Sequence, residues 1–184
     1  MQIPEEAKPC IAKARGAILK QLPYDLSAPI VMLLVLPFVS RNADKLPALF
    51  SAWDNNISIN GDRPEYLDPN YTGDAYYAPG HHPRSFWARY VWLGWRNRAS
   101  AFLTRYAVQP KEPITLVAGD ADASRSKIGF FVLRSGDLWQ CKEFSPFGPF
   151  VKIKNVGYKL DVARGDPTQP CLPVYIPFSL KGKP

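Results

Sequence analysis

The segment RSFWARYVWLGWRNRASAFLTRY, residues 84–106, contains three of the five tryptophans of the chain and five arginines, without one acidic residue. Pro83 suits the first turn of a helix, and within the segment only Gly94 disfavours helix, by about 1 kcal/mol relative to alanine. The segment therefore predicts one central helix.

With a step of about 100° per residue, most apolar residues of this helix fall on one arc that arginines border on both sides. We select a basic and aromatic binding surface that consists of Arg89, Trp92, Trp95, Arg96, Arg98 and Arg105. Arginine stems cover apolar area while their guanidinium groups reach water or phosphate, so the pattern is typical of an amphipathic helix lying on a surface. It also fits a central core helix with solvated arginine edges.

Length and composition are those of a folded protein. The chain has 184 residues, is 46% hydrophobic and carries a net charge of +7, which fits one domain plus extensions. Its 19 prolines are about twice the ordinary share, so loops and short elements should be common. Its three cysteines have no CxxC spacing, which predicts neither a disulfide framework nor a zinc site.

An apolar run, LSAPIVMLLVLPFVS at residues 26–40, has no charged side chain but includes Pro29 and Pro37. A membrane-spanning helix needs about 20 apolar residues, so the run is short for that role. Three interpretations stay open: a buried helix or strand, a re-entrant or interfacial membrane segment, and a tilted span. Before it we expect a short helix over residues 5–21 that ends at Pro23, and no cleavable signal peptide.

We divide the chain into three parts. Residues 1–40 hold the N-terminal helix and the apolar segment, residues 41–82 form a long irregular region, and residues 83–184 combine the central helix with a sheet. Alternatively, residues 41–184 are one domain. Tyrosines in the irregular region suggest that its own side chains pack it.

Four residues of the irregular region have the oxygen spacing of a calcium loop: Asp54, Asn56, Asp62 and Glu65. The glycine that such a loop requires at its sixth position is missing, since Ile59 stands there and Gly61 is at the eighth. We therefore predict no metal site. The alternative is a weak metal site with these four residues as its ligands.

Beyond Pro110 the apolar residues alternate, which predicts about five antiparallel strands within residues 110–182. In the last strand, Pro173 and Pro177 remove N–H groups along one side, so we expect it at a sheet edge. The predicted fold class is α+β, with a central amphipathic helix packed on a C-terminal antiparallel β-meander, preceded by an N-terminal apolar helical segment.

Catalytic signatures are absent from the sequence, which has no GxSxG, no GxxxxGK[ST] and no GxGxxG that opens a helix. Asp120 and Asp122 could act as acid and base, but a solvated hairpin tip explains them as well. The adjacent His81 and His82 lack further ligands nearby in the sequence. We expect no cofactor and lean against an enzyme, which stays a third alternative.

Short motifs in a fixed order carry a resemblance. They are the apolar run near the N-terminus, LP at 46–47 with WDN at 53–55, WLGWRNR at 92–98 and GYKL at 157–160. Together they resemble a group of uncharacterised proteins encoded by tailed bacteriophages, over about residues 26–180. The resemblance implies a viral origin and a bacterial-cell setting, and it supplies no activity and no catalytic residue.

We therefore expect a non-enzymatic bacteriophage accessory protein that binds a host protein or an anionic membrane surface and serves in host takeover or against a host defence. Its expected location is the bacterial host cytoplasm, at the inner membrane surface. The alternatives are a virion component and a nucleic-acid-binding protein whose arginines neutralise phosphates while its tryptophans stack on bases. The sequence leaves the oligomeric state open.

Overall fold

The computed structural model describes residues 1–73, 75–166 and 168–184. Its helices are α1 (Lys8–Val35), α2 (Phe86–Val91), α3 (Ser100–Leu103) and α4 (Leu160–Ala163). Contacts divide the chain into two compact units, residues 1–19 with 106–184 and residues 20–105. This division differs from the sequence-based boundaries at residues 40 and 82.

The first unit is built on an antiparallel sheet whose five strands are neighbours in chain order. They are β1 (Thr115–Gly119), β2 (Gly129–Ser135), β3 (Leu138–Phe147), β4 (Phe150–Tyr158) and β5 (Pro173–Gly182). The meander and the α+β class are thus confirmed. So is the edge position of β5, where Pro173 and Pro177 cannot donate to a further strand.

The helix in the core of this sheet is the first part of α1, a role that the sequence assigned to residues 84–106. Cys10 and Ala14 of α1, with Ala7 of the preceding 3₁₀-helix Glu5–Ala7, belong to the same buried cluster as Trp139 and Cys141 of β3. These small residues allow close approach, and Cys10 Sγ lies 3.3 Å from the backbone nitrogen of Trp139.

The pairing of β4 with β5 is locally irregular. The register with β5 shifts between Ile153 and Asn155. Gly157 follows with φ 110°, a conformation that side chains with a Cβ rarely adopt, and a Cβ there would collide with the carbonyl oxygen of Trp139. Glycine is therefore required where β3 and β4 meet.

In the second unit, α1 continues through Pro23, so the prediction that a first helix ends there is wrong. A proline inside a helix removes one backbone donor, but tertiary contacts outweigh that loss. Met32 and Val35 are buried on the helix side that contacts Leu93. A 3₁₀-helix, Leu36–Phe38, ends the rod.

The irregular region contains two 3₁₀-helices, Ala48–Trp53 and Pro64–Leu67. Its tyrosines contact one another as expected, because the ring centroids of Tyr66 and Tyr71 are 5.5 Å apart and those of Tyr76 and Tyr77 are 4.4 Å apart.

The central segment is not one continuous helix, and that prediction is wrong. After α2, residues Trp92–Arg96 form a π-helix, Ala99 has a left-handed conformation with φ 45°, and α3 leads into a 3₁₀-helix, Thr104–Tyr106. The break is stabilised from outside the segment. Gln21 Nε2 donates to the carbonyl oxygens of Arg98, at 2.9 Å, and Ala99, at 3.2 Å.

Candidate functional site

One side of α1 and its 3₁₀ extension is exposed and apolar. Between Gln21 and Phe38, every exposed residue is apolar. The set, which we name the α1 apolar face, consists of Leu22, Pro23, Leu26, Ile30, Leu33, Leu34, Pro37 and Phe38. Leu26 is 68% exposed and Phe38 is 88% exposed. Spacings of three and four residues hold the leucines and Ile30 on one side of the helix.

The opposite side of the same helix is buried in the second unit. Ala28, Met32 and Val35 are buried. Polar groups also lie on the protein-facing part, where Ser27 Oγ accepts a hydrogen bond of 2.9 Å from Trp53 Nε1. Burial raises the pKa of Asp25, an effect that Arg98 and a hydrogen bond from Gln21 oppose. The helix is therefore two-sided in the folded chain.

By length and composition, the helical stretch Glu5–Phe38 suffices to cross a membrane. Its two-sided environment favours another arrangement, because a spanning helix presents apolar residues to lipid while this one packs a full side on protein. A helix with one apolar exposed side suits the plane of an interface. Exposed basic residues flank the face, with Lys20 before it and Arg41 after it.

Arg89, a predicted surface residue, is buried and structural. Its Nε donates to Asn60 Oδ1, Nη1 donates to the carbonyl oxygen of Ser40, and Nη2 donates to the carbonyl oxygens of Arg41 and Ala43, all within 3.0 Å. Burial, reinforced by the nearby charge of Arg84, lowers the pKa of Arg89 to about 10. Arg89 therefore joins α2 to the chain that follows α1, and its side chain does not face solvent.

Trp92 is likewise buried, so its predicted place on a binding surface is wrong. Its Nε1 donates a hydrogen bond of 3.0 Å to the carbonyl oxygen of Ser58, and its ring stacks on Tyr77 at 4.7 Å. A tryptophan held in this way cannot reach a base or a lipid headgroup.

The other predicted binding residues do reach solvent. Trp95 is 56% exposed, and the exposed Arg96 places its guanidinium 4.4 Å from the centroid of Tyr77. Arg98 is half-buried, and the exposed Arg105 lies 5.4 Å from the Phe102 ring. The structure thus splits the six selected residues between the core and the surface.

The four alternative metal ligands do not act as one group. Asp54 is buried and accepts hydrogen bonds from the backbone nitrogens of Leu46, at 3.0 Å, and Asn55, at 2.7 Å. Asn56 Oδ1 accepts from Ser100, and Glu65 pairs with Arg63 at 3.7 Å, while Asp62 is exposed. Among the described residues, no cluster of three or more histidine, cysteine or acidic side chains could hold a metal ion.

The residues weighed for catalysis have structural partners. Asp120 forms an ion pair with Lys127 and accepts from the Asp122 nitrogen, and these contacts lower the pKa of Asp120. His82 Nδ1 accepts a hydrogen bond of 3.0 Å from the Arg84 nitrogen. The hairpin-tip interpretation describes Asp120 well.

The three cysteines are free and buried. Burial raises the pKa of Cys141 and of Cys171 to about 11 and raises the pKa of Cys10 in the same direction. Thiols of this kind hold their proton at neutral pH and react poorly as nucleophiles.

Sequence reasoning missed the α1 apolar face, although it noted the apolar run. Leucine and isoleucine at positions 22, 26, 30 and 33 repeat at helical spacing. The residues between them are mostly apolar too, so hydrophobic periodicity does not show which side is covered. The only available signal was that the run is more apolar than one buried side requires.

Comparison with protein families finds a match to a model described as "Family of unknown function (DUF7338)", over residues 18–181. Comparison with the curated proteins and with the solved structures finds no match.

Proposed function

The chain belongs to the Family of unknown function (DUF7338), and on that premise, which assigns no activity, we propose that it is a non-enzymatic bacteriophage accessory protein that binds the inner surface of the host membrane. The motif resemblance to tailed-phage proteins supports the viral setting. The observation that carries the membrane role is the α1 apolar face, which runs from Leu22 to Phe38 without an exposed polar residue.

The energetics of the face suit reversible binding. Burying a leucine or isoleucine side chain fully contributes about 1.5–3 kcal/mol. Partial burial of the four leucines and Ile30 in the boundary between headgroups and acyl chains therefore contributes several times that amount. Each basic residue near an anionic surface adds about 1 kcal/mol, and Lys20 and Arg41 are placed for it at the two ends of the face.

An in-plane arrangement is favoured over a span. If α1 crossed the bilayer, the polar groups of Gln21, Asp25 and Ser27 would have to enter the hydrocarbon region with their partners. With the helix lying flat, those groups stay in the folded unit and only the exposed side meets lipid. This geometry corresponds to the interfacial alternative among the three sequence-based interpretations.

Vesicle flotation tests the proposal. We expect the protein to float with vesicles of phosphatidylethanolamine and phosphatidylglycerol and to bind pure phosphatidylcholine more weakly. The double variant Leu26→Ser with Ile30→Ser should lose at least tenfold in binding. Leu49→Ser is the matched control, because Leu49 lies in the same unit, is 82% exposed and is not part of the face.

Two results would sink the proposal: absence of wild-type binding to anionic vesicles, or equal binding by the wild type and the double variant. Circular dichroism and thermal melts of both variants show whether the fold is retained. Since the substituted side chains are exposed, we expect both variants to melt close to the wild type.

Nucleic-acid binding through the central segment is the second candidate. Exposure of Trp87 and Trp95 supports it, since stacking on bases needs accessible rings. Burial of Arg89 and Trp92 removes two of the six predicted contacts. Salt-sensitive oligonucleotide binding that Trp95→Ala abolishes would favour this candidate, and binding that survives the substitution would reject it.

A further inference from the structure

A patch of exposed apolar residues with one half-buried lysine lies at the end of the sheet where β3 turns into β4. We name it the sheet-end patch, and it consists of Phe147, Phe150, Lys152, Phe178 and Leu180. Phe147 pairs with Phe150 across the β3–β4 hairpin, and Lys152 pairs with Leu180 across β4 and β5. Residues two apart on a strand point to the same face, so this register places Phe150 and Lys152 together.

Contacts within the patch support a shared surface. The rings of Phe147 and Phe178 meet edge to face, with centroids 6.5 Å apart. Lys152 Nζ lies 5.8 Å from the centroid of Phe178. Phe147 is 53% exposed and Phe178 is 55% exposed. By contrast, Val151, which points to the other face, is fully buried, so the rings stand on a rigid, packed layer.

The charge around the patch is positive. Residues 145–158 and 171–184 contain no acidic residue, and Lys152 and Lys154 lie on the same face of β4 as Phe150, whereas Lys181 pairs with Val151 and points to the other face. Glu143, the residue that pairs with Lys154 across β3, is engaged by the N-terminal ammonium group at 3.2 Å. The patch therefore attracts a polyanion.

We propose that the sheet-end patch binds single-stranded nucleic acid. Exposed rings on a sheet face stack on unpaired bases, and neighbouring lysines neutralise phosphates, which gives binding with little sequence preference. The partner differs from the one we propose for α1. The nucleic acid would contact residues of the sheet. It would not contact the central segment, where Arg89 and Trp92 are buried.

Two other occupants fit less well. A second copy cannot extend the sheet along β5, because Pro173 and Pro177 lack the donors for a further ladder. A bilayer suits a continuous apolar surface, but here Lys152 stands between the rings on the same face. Single-stranded nucleic acid uses both kinds of residue at once.

Fluorescence anisotropy with a labelled mixed-sequence oligonucleotide of about 20 nucleotides tests the proposal. Stacking contributes about 1–3 kcal/mol per base, so the double variant Phe147→Ala with Phe178→Ala should weaken binding at least tenfold. Lys152→Gln should weaken binding and reduce the slope of log affinity against log salt by about one. Leu116→Ala, an exposed apolar residue on β1 at the opposite edge, is the control and should bind as the wild type does.

A conservative pair, Phe147→Tyr with Phe178→Tyr, guards against a folding artefact. It keeps the rings, so binding should be retained. The proposal is overturned if the wild type fails to bind at 50 mM salt, or if the alanine pair binds equally well. It is also overturned if the alanine pair loses binding to anionic vesicles rather than to the oligonucleotide.

The proposed role of α1 does not enter this inference. The α1 substitutions test vesicle binding in one unit and the sheet substitutions test oligonucleotide binding in the other, so each idea can fail alone.

Discussion

Nε of Arg89 donates a hydrogen bond of 2.8 Å to Oδ1 of Asn60, and both side chains are buried. The bond joins α2 to the irregular region. The same guanidinium also binds three carbonyl oxygens that directly follow the 3₁₀ end of the α1 rod. One side chain thereby holds together three stretches that are distant in sequence.

Arg89→Ala should destabilise the protein by about 3–5 kcal/mol, because removal of one partner leaves buried acceptors unsatisfied. Arg89→Lys should recover little, since a lysine cannot reproduce the planar fork. Urea unfolding measures both, with the exposed Arg96→Ala as the control, expected within about 0.5 kcal/mol of the wild type. A loss below about 1 kcal/mol for Arg89→Ala would contradict the structural role.

Gly157→Ala should lower the free energy of unfolding by more than about 2 kcal/mol. The new Cβ would collide with the Trp139 carbonyl oxygen, and the residue would have to keep a positive φ. Gly16→Ala is the opposite case. A Cβ at Gly16 has no atom within 4 Å, and the position is helical, so this change should stabilise by about 0.5–1 kcal/mol. Thermal denaturation compares the two, and similar melting temperatures would argue against the strained β3–β4 contact.

Alkaline pH should weaken the fold through the cysteines. The pKa of Cys141 and of Cys171 is raised to about 11 by burial, against an ordinary value of 9.0. Between these values the unfolded chain releases thiol protons that the folded chain keeps, so the free energy of unfolding falls as pH rises from 9 to 11.

The measurement is denaturant unfolding at several pH values, with Cys141→Ala combined with Cys171→Ala for comparison. That variant should show a shallower decline over the same range. A decline of the same steepness in both proteins would assign the pH effect to other groups.

Gln140→Ala should cost about 2–4 kcal/mol. The side chain is fully buried and bonds Asn155 Oδ1 at 3.0 Å, Asp161 Oδ1 at 2.9 Å and the Asp161 nitrogen at 2.7 Å. Its loss leaves these groups unsatisfied and creates a cavity beside α4. A chemical denaturation midpoint equal to that of the wild type would show that α4 does not depend on this network.

Local patterns predicted the sheet better than the helices. In β5, alternation of apolar residues and the two prolines indicate both a strand and its edge position. In the central segment, the apolar arc and the lack of strong helix breakers predict a continuous helix, and the structure breaks it near Ala99. Gln21, a residue about 80 positions away, stabilises the break, because its amide donates to the carbonyl oxygens of Arg98 and Ala99.

Sequence by itself determined the β-meander of this protein, its strand order and the apolar character of residues 26–40, because strand periodicity, short connections and missing proline donors are local properties. Only the tertiary structure decided which side of α1 is exposed and that Arg89 belongs to the core. A uniformly apolar run has no periodicity that shows which of its sides is covered. The charge of Arg89 is buried because carbonyl oxygens that are distant in sequence converge on its guanidinium group.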